Sequence, residues 1–299
     1  YQSPNSGLYR TNNDGANWEL VTTTSLGLIQ YDGQRLTGVK SKFIIQSTDE
    51  GFTWDTLLQY AGYANRLIQH ENHFFLLTFG SSTTAAGCYV SNDYGQSWQY
   101  YPNDVLDNIY DFIWHNGSLF GLDGDRVITS ADFGQTWQHV PLPQGSAYPA
   151  YFGASSGNAL LIGGAHSMSS NGMYRSTDDG ATWNPVLFGI KASSGKLKKY
   201  NHDLFVPSPG GLFKAKADGL NWINIDLNIP QPPSLFWTVS DFAKSGDKWI
   251  VSDGENVWTS NAQGNIWSKS YVQPGQSNLS ASIEVLENIQ NKVIAHGPW

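Results

Sequence analysis

The octet STDEGFTW at residues 47–54 constrains this chain more than any other stretch, because the chain makes it seven times. Aligned on their tryptophans, the copies are TNNDGANW (11–18), STDEGFTW (47–54), SNDYGQSW (91–98), SADFGQTW (130–137), STDDGATW (176–183), AKADGLNW (215–222) and SNAQGNIW (260–267). Their starts lie 36, 44, 39, 46, 39 and 45 residues apart. Periods of this size mean one supersecondary unit, repeated along the chain and stacked on its neighbours.

Each recurring residue has a structural task. Asp stands third in four copies, as Asp49, Asp93, Asp132 and Asp178, where a carboxylate accepts backbone N–H bonds from its own turn. Glycine is invariant (Gly51, Gly95, Gly134 and Gly180 in those four copies) and supplies the positive φ of a tight hairpin. The opening Ser or Thr ties the ends of the turn together. The closing tryptophan, Trp54, Trp98, Trp137 or Trp183, is an apolar body able to fill the gap between two sheets.

An alternating strand precedes each octet (KFIIQ, GCYV, RVIT) and another follows it (WDTLLQ, WQYY, WQHV). Farther on comes a second hairpin with a polar turn, as in LIQYDGQRLTGV, FIWHNGSLFGL and FAKSGDKWIVS. Four short strands per period predict an all-β fold, a seven-bladed β-propeller of four-stranded antiparallel blades. The chain opens in a third and fourth strand (7–23) and finishes in a first and second (281–297). The expectation is therefore one blade stitched from both ends, and a single domain over residues 1–299.

Composition agrees and narrows the function. Charged residues make up 14 %, against roughly 25 % in average soluble proteins. Glycine (31), tyrosine (15) and tryptophan (12) are abundant, as many short strands and turns require. The net charge of −8, with KLKK (196–199) the longest basic run, argues against nucleic acid as a partner. No stretch approaches the apolar length of a membrane span. A single cysteine, Cys88, allows no internal disulfide. The chain opens on Tyr1, as would a chain whose signal peptide has been removed or an excised fragment.

The S-x-D-x-G-x-T-W pattern resembles the Asp-box, or BNR repeat, of bacterial sialidases, xyloglucanases, sortilin receptors and photosystem assembly factors. The resemblance covers essentially the whole chain. It implies boxes on the hairpin between third and fourth strands, away from the ligand face. The expected location is secreted, periplasmic or at the cell surface. Asn13 keeps an amide acceptor in the third position, whereas Ala217 and Ala262 have none, so those two turns are expected to be looser. The five arginines include no Arg-Ile-Pro, and the sialidase arginine triad is not expected.

On the face opposite the boxes, long aromatic loops connect the blades, and the expected ligand-binding residues are Tyr63, Arg66, Tyr101, Tyr110, Tyr148, His166 and Trp237. Aromatic rings on a rigid frame suit the C–H face of a sugar or the hot spot of a protein partner. The expected partner is a glycan or protein, with membership of a larger assembly as a further reading, and no cofactor or metal is expected. Aligning the first strands puts Arg66, Asp111, Tyr151, Lys196, Asp241 and Val285 in one column at the channel mouth. Arg66–Asp111 and Lys196–Asp241 fall in adjacent blades, as neutralising ion pairs would. The catalytic alternative is a glycoside hydrolase using Asp111, Asp241 or Glu284, which needs carboxyls about 5–5.5 Å or 6.5–9.5 Å apart. His70, His73, His115 and His202 read as turn residues on the box side rather than zinc ligands.

Overall fold

The computed structural model describes residues 7–24, 26–81, 84–142, 150–164, 172–188, 197–200, 202–208, 211–225, 227, 229, 239, 241–252, 257–262, 264, 266–272, 285–289 and 292–296. Six antiparallel sheets of four strands follow one another, over residues 27–59, 63–102, 111–140, 152–188, 198–225 and 241–269. Within each, spatial order equals chain order, so a sheet is two hairpins in series. We refer to them as the first to sixth blades. A further sheet joins Leu8–Thr11 and Asn17–Thr22 to Val285–Ile289 and Lys292–His296, with Leu8 opposite His296 and Tyr9 opposite Ala295. The short strand Tyr271–Val272 adds a fifth, parallel member beside Asn17–Thr22. The only helical turn among the described residues is the single 3-10 turn Asp104–Leu106. The chain is an all-β propeller.

The core is divided rather than central. Each hydrophobic cluster draws on two successive sheets. Phe75, Leu77 and Cys88 of the second blade meet Phe112, Leu119 and Ile128 of the third. Ile113, Phe120 and Leu122 of the third then meet Leu160 and Ile162 of the fourth. Five of the seven octet tryptophans sit at the rims of these clusters. Trp18 and Trp267 are buried, whereas Trp54, Trp98, Trp137, Trp183 and Trp222 are half-buried. They roof the interfaces more than they fill them, as Trp137 does by meeting Phe112 edge to face at 5.6 Å. Burial pushes the Cys88 thiol up, so this cysteine behaves as a small apolar residue.

The octet turns form as their composition requires. In the first blade Ser47 Oγ donates to Asp49 Oδ1 at 2.7 Å and accepts the Gly51 N–H at 2.8 Å. Asp49 accepts both the N–H (2.8 Å) and the hydroxyl (2.6 Å) of Thr53, and Trp54 Nε1 donates to the Gly51 carbonyl at 2.8 Å. The same hydroxyl and carboxylate bonds recur around Asp93, Asp132 and Asp178. Asn13 takes the role with its amide oxygen, accepting the Asn17 N–H at 3.0 Å. Where alanine stands third, a neighbour substitutes: Asp218 Oδ1 accepts the Leu220 N–H (2.9 Å), and Asn261 Oδ1 the Ile266 N–H (3.2 Å).

The fourth octet position has a role that the sequence pattern does not show. Asp14, Glu50, Tyr94, Phe133 and Asp179 all adopt positive φ, and each side chain reaches back to the preceding sheet. Glu50 meets Arg10 at 2.5 Å, Asp14 meets Lys248 at 3.0 Å and Asp179 meets His115 at 3.2 Å. Phe133 stacks on His73 at 4.6 Å, and Tyr94 lies under Arg35 at 4.3 Å. Each of these five octets is thus both a turn and a clasp.

Candidate functional site

In a sheet of two serial hairpins, the octet turns and the turns between first and second strands share one end. The connections between blades leave from the other. At that other end, the first strands of adjacent blades bring Arg66 and Asp111 together as an ion pair of 3.0 Å, with both side chains mostly buried. Asp111 Oδ1 also accepts its neighbour Phe112 N–H (3.0 Å), and Oδ2 accepts the Gly153 N–H of the fourth blade (3.1 Å). One carboxylate therefore ties three successive blades. Arg66 Nε is buried without a partner.

Asp241 is paired as well, and its cationic partner among the described residues is Lys198. Lys198 Nζ stands 2.8 Å from Asp241 Oδ1 and 3.0 Å from the Phe242 carbonyl. Lys196 lies outside the described residues. Lys198 opens the strand Lys198–Tyr200, and its long stem carries the ammonium to the acid. Asp241 Oδ1 also accepts the Phe242 N–H at 2.8 Å. Asp111 and Asp241 are thus each bound by a cation and by backbone N–H donation. Glu284 lies outside the described residues.

Around this polar mouth stand tyrosines. Tyr63, at the head of the second blade, is 62 % exposed, with Lys42 Nζ 4.1 Å from its ring centroid. Tyr110 is 50 % exposed, and its ring lies 4.8 Å from that of Tyr151. Its N–H is fixed on the Leu122 carbonyl at 2.7 Å, and the Asn65 side chain donates to the adjoining Ile109 carbonyl. Tyr101 is half-buried on the outermost strand of the second blade, packed into the interface with the third. Tyr148, His166 and Trp237 fall outside the described residues. Lys42 and Tyr151 were not among the expected ligand contacts. Tyr151 shares a column with Arg66 and Asp111, which could have singled it out, while the turn holding Lys42 carries no pattern.

On the octet side, His70 stacks on Trp114 and His73 on Phe133, each at 4.6 Å. No group of three or more His, Cys, Asp or Glu among the described residues is placed to hold a metal ion. No described helix is long and apolar enough to cross a membrane.

No protein-family model matches the chain, and no curated protein does. Solved structures do match. A structure of YCF48 bound to D1 peptide shares 13 % identity over 93 % of each chain, with a TM-score of 0.63. The GH74 xyloglucanase from Xanthomonas campestris shares 13 % identity over 87 % of this chain and 46 % of its own, at 0.62. The extracellular domain of BT3049, a hybrid two-component system from B. thetaiotaomicron, shares 13 % over 92 % and 39 %, at 0.60. At such identities the likeness is one of fold, and the fold it shows is the β-propeller.

Proposed function

We propose that the chain is a secreted or surface-exposed Asp-box propeller of one domain, seven blades round, closed by the sheet that its two ends share. On this reading it binds a glycan, without chemistry, on the face opposite the boxes. The observation that carries the reading is the pairing of exposed rings with spent acids. Tyr63 and Tyr110 stand exposed at the end of the blades where Asp111 is already committed to Arg66 and Asp241 to Lys198. Rings of this kind, with little rotamer freedom to lose, suit the C–H face of a pyranose, and Lys42, Arg66 and Asn65 offer polar groups nearby.

A protein ligand is the second reading, favoured by the peptide bound to one structural neighbour. Glycan-array binding decides between them. The expected result is binding weakened tenfold or more by Tyr63→Ala and by Tyr110→Ala, and kept by Asp111→Asn if the fold tolerates that change. Silent arrays with a stably co-purifying partner would favour the protein reading. Hydrolysis of a glycan panel that disappeared in Asp111→Asn or Asp241→Asn would instead make the chain a hydrolase.

A further inference from the structure

A second site lies on the octet side, between the first and second blades. A cleft of about 470 Å³ there is lined by Tyr31, Asp32, Arg35, Gln69, Glu71 and Tyr94 among others, a volume within the range of small-molecule sites. Its character comes from a departure within the repeat. In three other copies an acid in the fourth octet position meets a base of the preceding sheet, as Glu50 meets Arg10, Asp14 meets Lys248 and Asp179 meets His115. Here that position is Tyr94. Arg35 stacks on its ring at 4.3 Å and spends Nε on Asp32 at 2.9 Å, and no bond among the described residues engages its two terminal nitrogens.

The matching interface shows what those nitrogens lack. The turn SGDK (245–248) of the sixth blade aligns with DGQR (32–35) of the first. There the Asp14 carboxylate accepts Ser245 Oγ at 2.8 Å and meets Lys248 Nζ at 3.0 Å. Arg35 is thus a base of the repeat whose fourth-position acid has been removed, and a guanidinium fork fits a carboxylate best of all. Asp32 and Glu71 make the cleft negative overall, so a bare carboxylate would be disfavoured. The Glu71 carboxylate is exposed and engaged by no described bond, and Gln69 Oε1 is buried without a partner, its amide nitrogen being held on Asp32 at 3.0 Å. Residues carrying two acceptors therefore line the same cleft as one fork.

We propose that this cleft binds a small zwitterion of the α-amino-acid type, its carboxylate on Arg35 and its ammonium on Glu71 and Gln69. Titration calorimetry of the whole chain with each of the twenty proteinogenic L-amino acids tests this. At least one should bind, and its N-acetyl and its amide derivatives should each bind at least tenfold more weakly. Arg35→Gln and Glu71→Gln should each weaken binding at least tenfold. Tyr94→Glu restores the missing acid, so it should abolish binding while leaving the melting temperature unchanged or raised, which separates site loss from misfolding. Absence of binding by any amino acid, equal binding of the blocked derivatives, or preference for a neutral monosaccharide in the same cleft would each overturn the proposal.

Discussion

Gly51 shows how tightly a single octet residue is held. Its φ of +95° is one that L side chains avoid, and a Cβ there would lie 2.7 Å from Leu8 Cδ2 of the neighbouring sheet. Backbone strain and close packing add, so Gly51→Ala should cost about 1–3 kcal/mol, read as a lower urea midpoint. The third-position acids make a different prediction. Hydrogen bonds from the Thr53, Ser97 and Thr182 hydroxyls hold Asp49, Asp93 and Asp178 at about 2, from an ordinary 3.8. A depressed carboxyl stabilises the fold above the unfolded value and loses that stabilisation as pH falls through the folded one. Acid unfolding should therefore steepen between pH 4 and 2 and be blunted in the triple Asn variant, with salt weakening the effect because these groups are exposed. His115 works in a higher window. Burial lowers it, and Asp179 opposes that. The unfolded chain takes its proton near pH 6.5 while the folded one resists, so this contribution is present above pH 6.5 and shrinks below it. Asp179→Asn removes the opposing charge, and the fall in urea midpoint from pH 7 to 5.5 should become larger.

At the scale of elements, stability resides in the contacts between sheets. Phe75 is fully buried where the second blade meets the third, within 5.8 Å of Trp114 and 6.4 Å of Phe133. Phe75→Ala should cost about 3–5 kcal/mol, measured by denaturant unfolding, because the void cannot collapse between two hydrogen-bonded sheets. The strands and octet turns were legible in the sequence, since period-two alternation and invariant glycine act within a few residues of each other. The clasp was not. Its fourth position varies through Asp14, Glu50, Tyr94, Phe133 and Asp179, and its partner lies on a varying strand of the neighbouring sheet, so no column reveals the pairing. The Arg66–Asp111 pair was legible because both residues occupy the same register in adjacent blades. Lys198, which reaches Asp241, stood in no such column, because a lysine stem spans more than one residue of strand and register alone does not fix where its charge ends.

At the scale of the molecule, the sheet shared by both ends decides whether the proposed ring is one cooperative body. Leu8–Thr11 pairs with Lys292–His296 over four residue pairs, and Ser245 reaches Asp14 across 231 positions of sequence. Buried Tyr9, Trp18 and Val293 form one cluster with Ala243, Ile250 and Val257 of the sixth blade. A chain cut before Val285 would lose both inner strands of that sheet. The edge of Leu8–Thr11 would be left unpaired, and the sixth blade would lose part of the apolar surface that covers it. In a ring the loss is felt on both sides, since the first blade also leans on Leu8 through Leu26, Ile29 and Leu36. Residues 1–284 should therefore melt far below the full chain or fail to fold, and adding back a peptide of residues 285–299 should restore much of the loss in a concentration-dependent way. If the shortened chain melted at the same temperature as the whole, the sixth blade and the first would each stand without the shared sheet, and the closed ring would have to be abandoned.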